Sequence, residues 1–357
     1  MRLLVVGGSG FLGGYVIREA ARRGHQILAL ARSPEAALAV AAHGARPLGG
    51  DLDDARHLDE AFAAARCEAL VCVASLGYGH GPDIVAAAEE AGIPRAVFVS
   101  TTAVTTTFHP PTKQVRLTAE EQIRGCVLDW TILRPTMIYG AAGDRNLSRL
   151  LPLLRRAAAL PVPATGGYVH QPVHVGDVAD AVLATLQRPA AIGSLYNVAG
   201  PEPFPFAELL RTCARAVGSR TRFVPVPLAP LVTLARGYEL LSRHPRIRPE
   251  QLRRLAEHKA FPIETAIRDL GYAPRSFTSG IGDEARLLGL AVCPVPTSPS
   301  SAVPWSTYGP PSWRTGRGCA LSRLACAGSR KQGAWSCPAR PQRPRSAGRM
   351  RPARWTR

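Results

Sequence analysis

The sequence contains no run of 18 or more apolar residues, so no segment of it is expected to span a bilayer as a helix, and no membrane partner is expected. Its first apolar strand begins at Arg2, which leaves no room for a secretory leader before the fold, and a cytoplasmic protein is expected. Cysteine is sparse. None of the eight forms a CxxC pair or a Cys/His cluster at ligand spacing, so neither a metal site nor a disulfide framework is indicated. Cys67, Cys72, Cys126 and Cys213 sit in apolar or helical contexts and read as reduced thiols. Aromatic residues are few, at 6%, but 46% apolar residues suffice for a substantial core.

Acidic residues are missing altogether from one region. From Ala291 onward there are eleven Arg, one Lys and no Asp or Glu, and this stretch holds four of the five Trp and four of the eight Cys. Most of the net charge of +18 therefore belongs to residues 291–357, and the body of the chain is only mildly basic. No nucleic-acid partner is expected of that body, and any such reading rests on the tail alone. Residues 291–357 are rich in Pro, Ser, Arg and Gly without periodicity, a composition that favours disorder. They read either as a solvated extension or as an out-of-frame read-through.

What is present is a regular alternation. Apolar runs at Leu3–Val6, Ile27–Leu30, Leu70–Val73, Ala96–Ser100 and Trp130–Leu133 read as strands buried on both faces, and a further short strand is expected near Arg46–Gly49. Helical patterns lie between them at Leu12–Arg23, Pro34–Ala42, Leu58–Ala65, Asp83–Ala91 and Thr118–Gly125. This predicts an α/β fold with a doubly wound parallel sheet of Rossmann type. After Gly140 the order loosens. Helices are predicted at Leu147–Ala158, Val175–Gln187, Phe206–Val217, Leu228–Leu241 and Pro249–His258, with short strand-like pieces at Leu195–Val198 and Phe223–Pro225. The prediction is one domain over 1–290, with a core over about 1–140 and a smaller substrate lobe over 141–290.

Gly7, Gly10 and Gly13 form a GxxGxxG pattern that leaves the first strand and enters a helix. Glycine is needed there for a sharp turn, for close approach of the backbone to a pyrophosphate, and for tight helix packing. Ser9, Phe11 and Leu12 complete the loop, whose helix N-terminus turns free amides toward phosphate. The second strand ends in Ala31-Arg32-Ser33 without a carboxylate. Arg32 and Ser33 suit a 2′-phosphate, so NADP(H) is expected over NAD. After the third strand, Asp51 and Leu52 are placed to meet the adenine, while Asp53 or Asp54 caps the next helix.

With Val97–Thr101, Leu133–Gly140, Gln171–Ala179, Tyr196–Gly200 and Leu270–Arg275, these motifs resemble the atypical or extended short-chain dehydrogenase/reductases of the NAD-dependent epimerase/dehydratase type. The resemblance covers nearly all of 1–290 and implies a carbonyl or sugar-like small-molecule substrate, with a homodimer as one possible assembly. It also implies a YxxxK pair, in which lysine and the cofactor lower the tyrosine pKa. Here the motif falls on Thr112-Lys113-Gln114-Val115-Arg116, so Thr112 replaces the tyrosine and Arg116 the lysine. Arg116 is expected to hold the nicotinamide ribose. Ser100 and Thr101 match the family's carbonyl-polarising position. Tyr78, Lys113, His109 and Tyr139 are the alternative proton donors. Ala74, Pro135, Met137 and Ile138 match segments lining the cofactor, and Tyr139, Arg145, Asn146, Gln171 and His174 match the substrate region, although His174 reads in preference as a structural histidine packed before the Val175 helix. The expected function is an NAD(P)-dependent oxidoreductase or epimerase. The alternative is an NAD(P)-binding regulator or accessory subunit without turnover, which the missing tyrosine supports.

Overall fold

The computed structural model describes residues 1–108, 110–140, 143–144, 146–164, 167–242 and 249–290. From the N-terminus the elements are β1 (Arg2–Val6), α1 (Phe11–Arg22), β2 (Gln26–Ala31), α2 (Pro34–Ala42), β3 (Arg46–Gly49), α3 (Ala55–Ala65), β4 (Ala69–Cys72), α4 (Gly81–Glu90), β5 (Arg95–Val99), α5 (Pro111–Gly125) and β6 (Asp129–Pro135). Then come β7 (Ile138–Tyr139), α6 (Leu147–Arg156), β8 (Ala159–Pro163), β9 (Val169–His170), β10 (Val173–His174), α7 (Val175–Leu186) and β11 (Ser194–Val198). The last described elements are β12 (Phe204–Pro205), α8 (Phe206–Ala216), β13 (Arg222–Val226), α9 (Leu228–Leu241), α10 (Pro249–Arg253), α11 (Glu264–Leu270) and α12 (Phe277–Leu287). The expected disordered tail, 291–357, lies outside the described residues, as do His109 and Arg145.

Seven parallel strands form one sheet in the order β11–β6–β5–β4–β1–β2–β3. The order reverses direction between β1 and β4, and the crevice at the carboxyl ends of such strands is where this architecture binds ligands. β1 shows why unalternating apolar runs are required. Leu3 and Val5 pack with Val16 and Ile17 of α1 and Val178 and Val182 of α7. Leu4 and Val6 face the other way, onto Leu58 and Phe62 of α3, Ile84 of α4 and Ile123 of α5. Both faces are dry, so a polar residue on either would lose hydration without gain.

Two elements differ from the sequence reading in ways that matter for the site. Helix α5 starts at Pro111, seven residues before the predicted start at Thr118. Proline is favoured in a first helical turn, where its missing N–H has no intrahelical partner to lose. The strand-like piece near Leu195 is not part of the substrate lobe. It is β11, paired in parallel with β6 at the edge of the main sheet, with α7 as the crossover. A third apolar cluster joins Tyr139 to Leu147, Leu151 and Leu154 of α6, Leu209 and Cys213 of α8, and Phe277 and Ile281 of α12. It lies beyond the carboxyl end of β6 in the chain and forms the second wall above the sheet.

Candidate functional site

The turn from β1 into α1 admits glycine alone at two positions. Gly7 has φ of +87°, and a Cβ there would stand 2.6 Å from the Ala74 amide nitrogen. A Cβ on Gly13 would run into the Gly7 carbonyl and lie 2.7 Å from Gly8 Cα. Gly10 occupies the N-cap of α1 without a side-chain acceptor, and the first turn carries no acidic residue. The leading amides of α1 and the positive end of its dipole are thus left for an external anion, with Ser9 and Gly10 exposed beside them. A cradle that a Cβ would fill, next to an uncapped helix, fits a dinucleotide pyrophosphate. Ala74 takes part as the floor against which Gly7 packs, its own N–H bonded to Val6 O at 3.2 Å.

At the adenosine end, Arg32 leaves β2 exposed and forms no hydrogen bond or ion pair with the described residues. Ser33 is the N-cap of α2, where its Oγ accepts from Ala36 N at 3.3 Å. The Ser33 hydroxyl is shared with the Glu35 carboxylate, which lies below its usual range through its own backbone N–H first and the Ser33 hydroxyl next. Asp51 accepts from Asp53 N at 3.2 Å, and Leu52 packs against the α3–α4 side of the sheet. Of the two capping candidates, Asp54 caps α3, accepting from His57 N at 3.3 Å.

A cleft of about 420 Å³ runs from the start of α1 across the carboxyl ends of β4, β5 and β6. Phe11 and Leu12 form its cofactor wall, Pro135 and Ile138 its roof, and Ser100, Thr101, Thr112 and Arg116 its polar side. Thr112 and Arg116 lie one turn apart on α5, and Arg116 Nη1 donates to Thr112 Oγ1 at 2.7 Å. Thr112 keeps its own proton. Thr101 Oγ1 accepts from Ala103 N at 3.2 Å and likewise keeps a proton. Ser100 does not: its Oγ donates to Glu120 Oε1 at 2.5 Å. Burial holds the Arg116 guanidinium below the usual arginine range, and the nearby Arg254 charge adds to this while Tyr78 opposes it.

Other candidates are placed elsewhere. Tyr78 is 78% exposed, in the short turn Leu76–Tyr78, and does not line the cleft. Lys113 spends its ammonium on Thr106 O at 2.6 Å. Tyr139 does not line the cleft. It is buried between His174 and Phe277, with ring centroids 5.5 and 5.2 Å away, and burial pushes its phenol far above the usual range. Gln171 is a buried staple, donating to Gly200 O at 2.7 Å and accepting from Phe261 N at 2.8 Å. His174 caps α7, its Nδ1 accepting from Gly176 N at 3.1 Å, and burial lowers it to about 4. Met137 packs against the third cluster, and exposed Asn146 is the N-cap of α6 with no side-chain cap bond.

Three residues in or behind the cleft wall, Glu120, Ser75 and Arg254, were not singled out from the sequence. Glu120 is fully buried and also receives Arg134, through Nε at 3.0 Å and through Nη2, and Arg124 at 3.3 Å. It lies four residues beyond Arg116, so the 112, 116, 120 spacing was a usable signal once α5 was known to start at Pro111. Ser75 receives Arg116 Nη2 at 3.5 Å. Arg254, in the turn Arg254–Ala256, closes the far side of the cleft, and nothing in its local sequence marks it.

The sheet order and the glycine cradle define a dinucleotide-binding α/β protein. Residues 7–189 match the NAD(P)H-binding family, and the chain belongs to it. The chain is 29% identical over 313 residues to the 4-hydroxy-2-methyl-3-oxo-4-farnesyl-3,4-dihydroquinoline-1-oxide ketoreductase of Stigmatella aurantiaca, covering 77% of this chain and 92% of that one. It is 28% identical over 317 residues to the 2-alkyl-3-oxoalkanoate reductase of Stenotrophomonas maltophilia, covering 77% and 95%. In fold it is similar to the Thermus thermophilus UDP-glucose 4-epimerase in complex with NAD, with a TM-score of 0.60, 20% identity, and coverage of 82% of this chain and 100% of that one. Among the described residues no helix is long and apolar enough to cross a membrane, and no group of His, Cys, Asp or Glu is arranged to hold a metal ion.

Proposed function

We propose that this chain is an NADP(H)-dependent reductase of a ketone. The observation that carries the reading is the Arg116–Thr112 bond at 2.7 Å, made inside a cleft whose lining includes Phe11 and Leu12, the first residues of α1 after the glycine turn. By accepting from Arg116, Thr112 turns a polarised hydroxyl into a donor for a carbonyl oxygen. Thr101, held by Ala103 N, supplies a second donor. Gly7, Gly10 and Gly13 with the leading amides of α1 would hold the pyrophosphate, Arg32 and Ser33 the 2′-phosphate, and Pro135 and Ile138 the nicotinamide face. Bound NADPH supplies the hydride.

A threonine hydroxyl is too weak an acid to protonate an alkoxide by itself. Its role here is to fix and polarise the oxygen, and the proton reaches that oxygen from water through Thr112 as a relay. Both relatives have an oxo compound in their names and a reductase activity, which supports the same reaction type here. A second reading, an NAD(P)-binding accessory protein without turnover, is favoured by the threonine at the tyrosine position.

The test is titration of the full chain with NADPH and NADH, followed by single-turnover NADPH fluorescence against a panel of ketones. Oxidation of NADPH, slowed about tenfold or more by Thr112→Val, is the expected result, as for loss of one donor to the developing charge. Tight NADPH binding with no oxidation across the panel would replace the reductase with the accessory reading. Failure to bind either cofactor would overturn both.

A further inference from the structure

Exposed large apolar side chains are mostly scattered singly over the described residues, as on any protein surface. In one segment they are not. Leu234, Leu240 and Leu241 of α9 are 69%, 88% and 90% exposed, and Val224 of β13, just before that helix, is exposed as well.

Helical spacing gathers these residues. Pro230, Leu234, Gly237 and Leu241 recur at i, i+4, i+7 and i+11, which sets them in one stripe along α9, with Thr233 and Leu240 at its border. Val232 and Ala235, on the opposite side, are buried. Arg236 and Glu239, the only charges of α9, fall outside the stripe. A helix with apolar residues on both its faces belongs in an interior or against a bilayer, yet this stripe is left open.

The same segment holds the excess charge of the body. Residues 206–259 carry eleven Arg or Lys and four Asp or Glu, whereas the rest of 1–290 carries 21 and 22. An apolar stripe within a basic segment matches acyl chains that lie beneath anionic headgroups. A second copy of this chain, packed stripe to stripe about a two-fold axis, would instead bring one basic segment against another.

We infer that α9 seats this protein on an anionic bilayer surface, with Leu234, Leu240 and Leu241 entering the boundary between headgroups and acyl chains. A helix lying in that boundary needs none of the length that spanning requires, so the attachment agrees with the absence, among the described residues, of a membrane-crossing helix. The inference is independent of what the cleft reduces.

The experiment is co-sedimentation of the full chain with two kinds of vesicle, one of phosphatidylcholine alone and one of equal parts phosphatidylcholine and phosphatidylglycerol. Its comparison is the variant carrying Leu234→Ser, Leu240→Ser and Leu241→Ser together. These side chains are exposed, so the fold should not depend on them, and an unchanged urea midpoint verifies that. The parent is expected to bind the mixed vesicles at least about tenfold more tightly than the neutral ones. The triple variant should lose about tenfold or more on the mixed vesicles, and Leu241→Ser alone about threefold. Residues 291–357, with twelve basic residues and no acidic one, are the same in all three proteins. Attachment through that charge alone would leave variants and parent equal, and this result overturns the proposal. Equal binding of the parent to both vesicles, or binding to neither, overturns it too. A concentration-dependent dimer that the serines abolish, seen by analytical ultracentrifugation with no vesicle binding, would replace the bilayer with a second copy.

Discussion

Ser100 donates its only hydroxyl proton to Glu120, at 2.5 Å, on the inner wall of the cleft. A serine so committed offers the cleft lone pairs and no proton, the opposite of the donor expected at this position. The arrangement is held by charge. Glu120 is buried and takes Arg134 as well as Ser100, while Arg124 adds a more exposed contact.

Removing the carboxylate should therefore cost stability before it costs chemistry. Glu120→Ala is expected to destabilise by about 3–5 kcal/mol, because it leaves the Arg134 guanidinium half-buried without its anion. Ser100→Ala should cost about 1 kcal/mol, the net value of one hydrogen bond. Urea denaturation of both variants and the double variant checks this. Strict additivity would show that the two side chains are not coupled.

How far the sequence revealed these features depended on where the determinants lie. β1, β2, β4, β5 and the middle of β6 were legible because burial on both faces forces unbroken apolar runs, whereas β3, Arg46–Gly49, is mostly exposed and carries no such run. β11 was not assigned to the sheet: Leu195 to Val198 carries the same local pattern whether it pairs with β6 or stands alone. The first two turns of α5, Pro111 to Arg116, are polar and lack an apolar stripe, so Thr112 and Arg116 were reached through motif spacing and not through helix periodicity. Helices α11 and α12 went unseen. In α12 the Ser279-Gly280-Ile281-Gly282 run reads as a loop, yet Gly280 is needed because a Cβ there would strike the Tyr139 ring, 2.9 Å from Cζ. That contact, 141 positions apart in the chain, is also why Tyr139 is buried rather than lining the cleft.

Arg32 bears on cofactor choice. Exposed and without a partner among the described residues, it loses little when a 2′-phosphate binds. Arg32→Ala is expected to weaken NADPH about ten- to a hundredfold with little effect on NADH, the value of one charge-assisted contact. Fluorescence titration with both cofactors reads the ratio. An unchanged ratio would move the 2′-phosphate away from Arg32.

His170 and His174 set the acid limit of stability. Burial lowers both to about 4, with the Lys259 charge next for His170 and the Arg275 charge next for His174. Their folded values lie below the unfolded one near 6.5, so the unfolded chain takes up protons first. The stability they contribute is complete above that value and is lost as pH falls toward 4, on the order of 1 kcal/mol for each. Urea midpoints should drop over this window. His174→Asn retains a capping oxygen for Gly176 N and should give a lower but flatter profile. A slope identical to the parent's would exclude His174 as a source.

Glu284 sets the opposite limit. It is fully buried in α12, and burial raises its carboxyl to about 8, with the nearby Asp144 charge adding to the effect. Asp144 is fixed there as a capping acceptor for Leu147 N at 3.0 Å and Ser148 N at 3.3 Å. Because the folded value lies above the ordinary one near 4.5, the folded protein holds a proton that the unfolded chain has released. The contribution is complete below 4.5 and is lost as pH rises through 8, on the order of 1–3 kcal/mol after allowance for screening. Glu284→Gln mimics the protonated acid and cannot ionise, so it should match the parent at low pH and exceed it at pH 8.5 and above. Denaturation midpoints across that range decide the matter. A variant less stable than the parent at every pH would mean that Glu284 is ionised in the folded state and serves as a counter-charge.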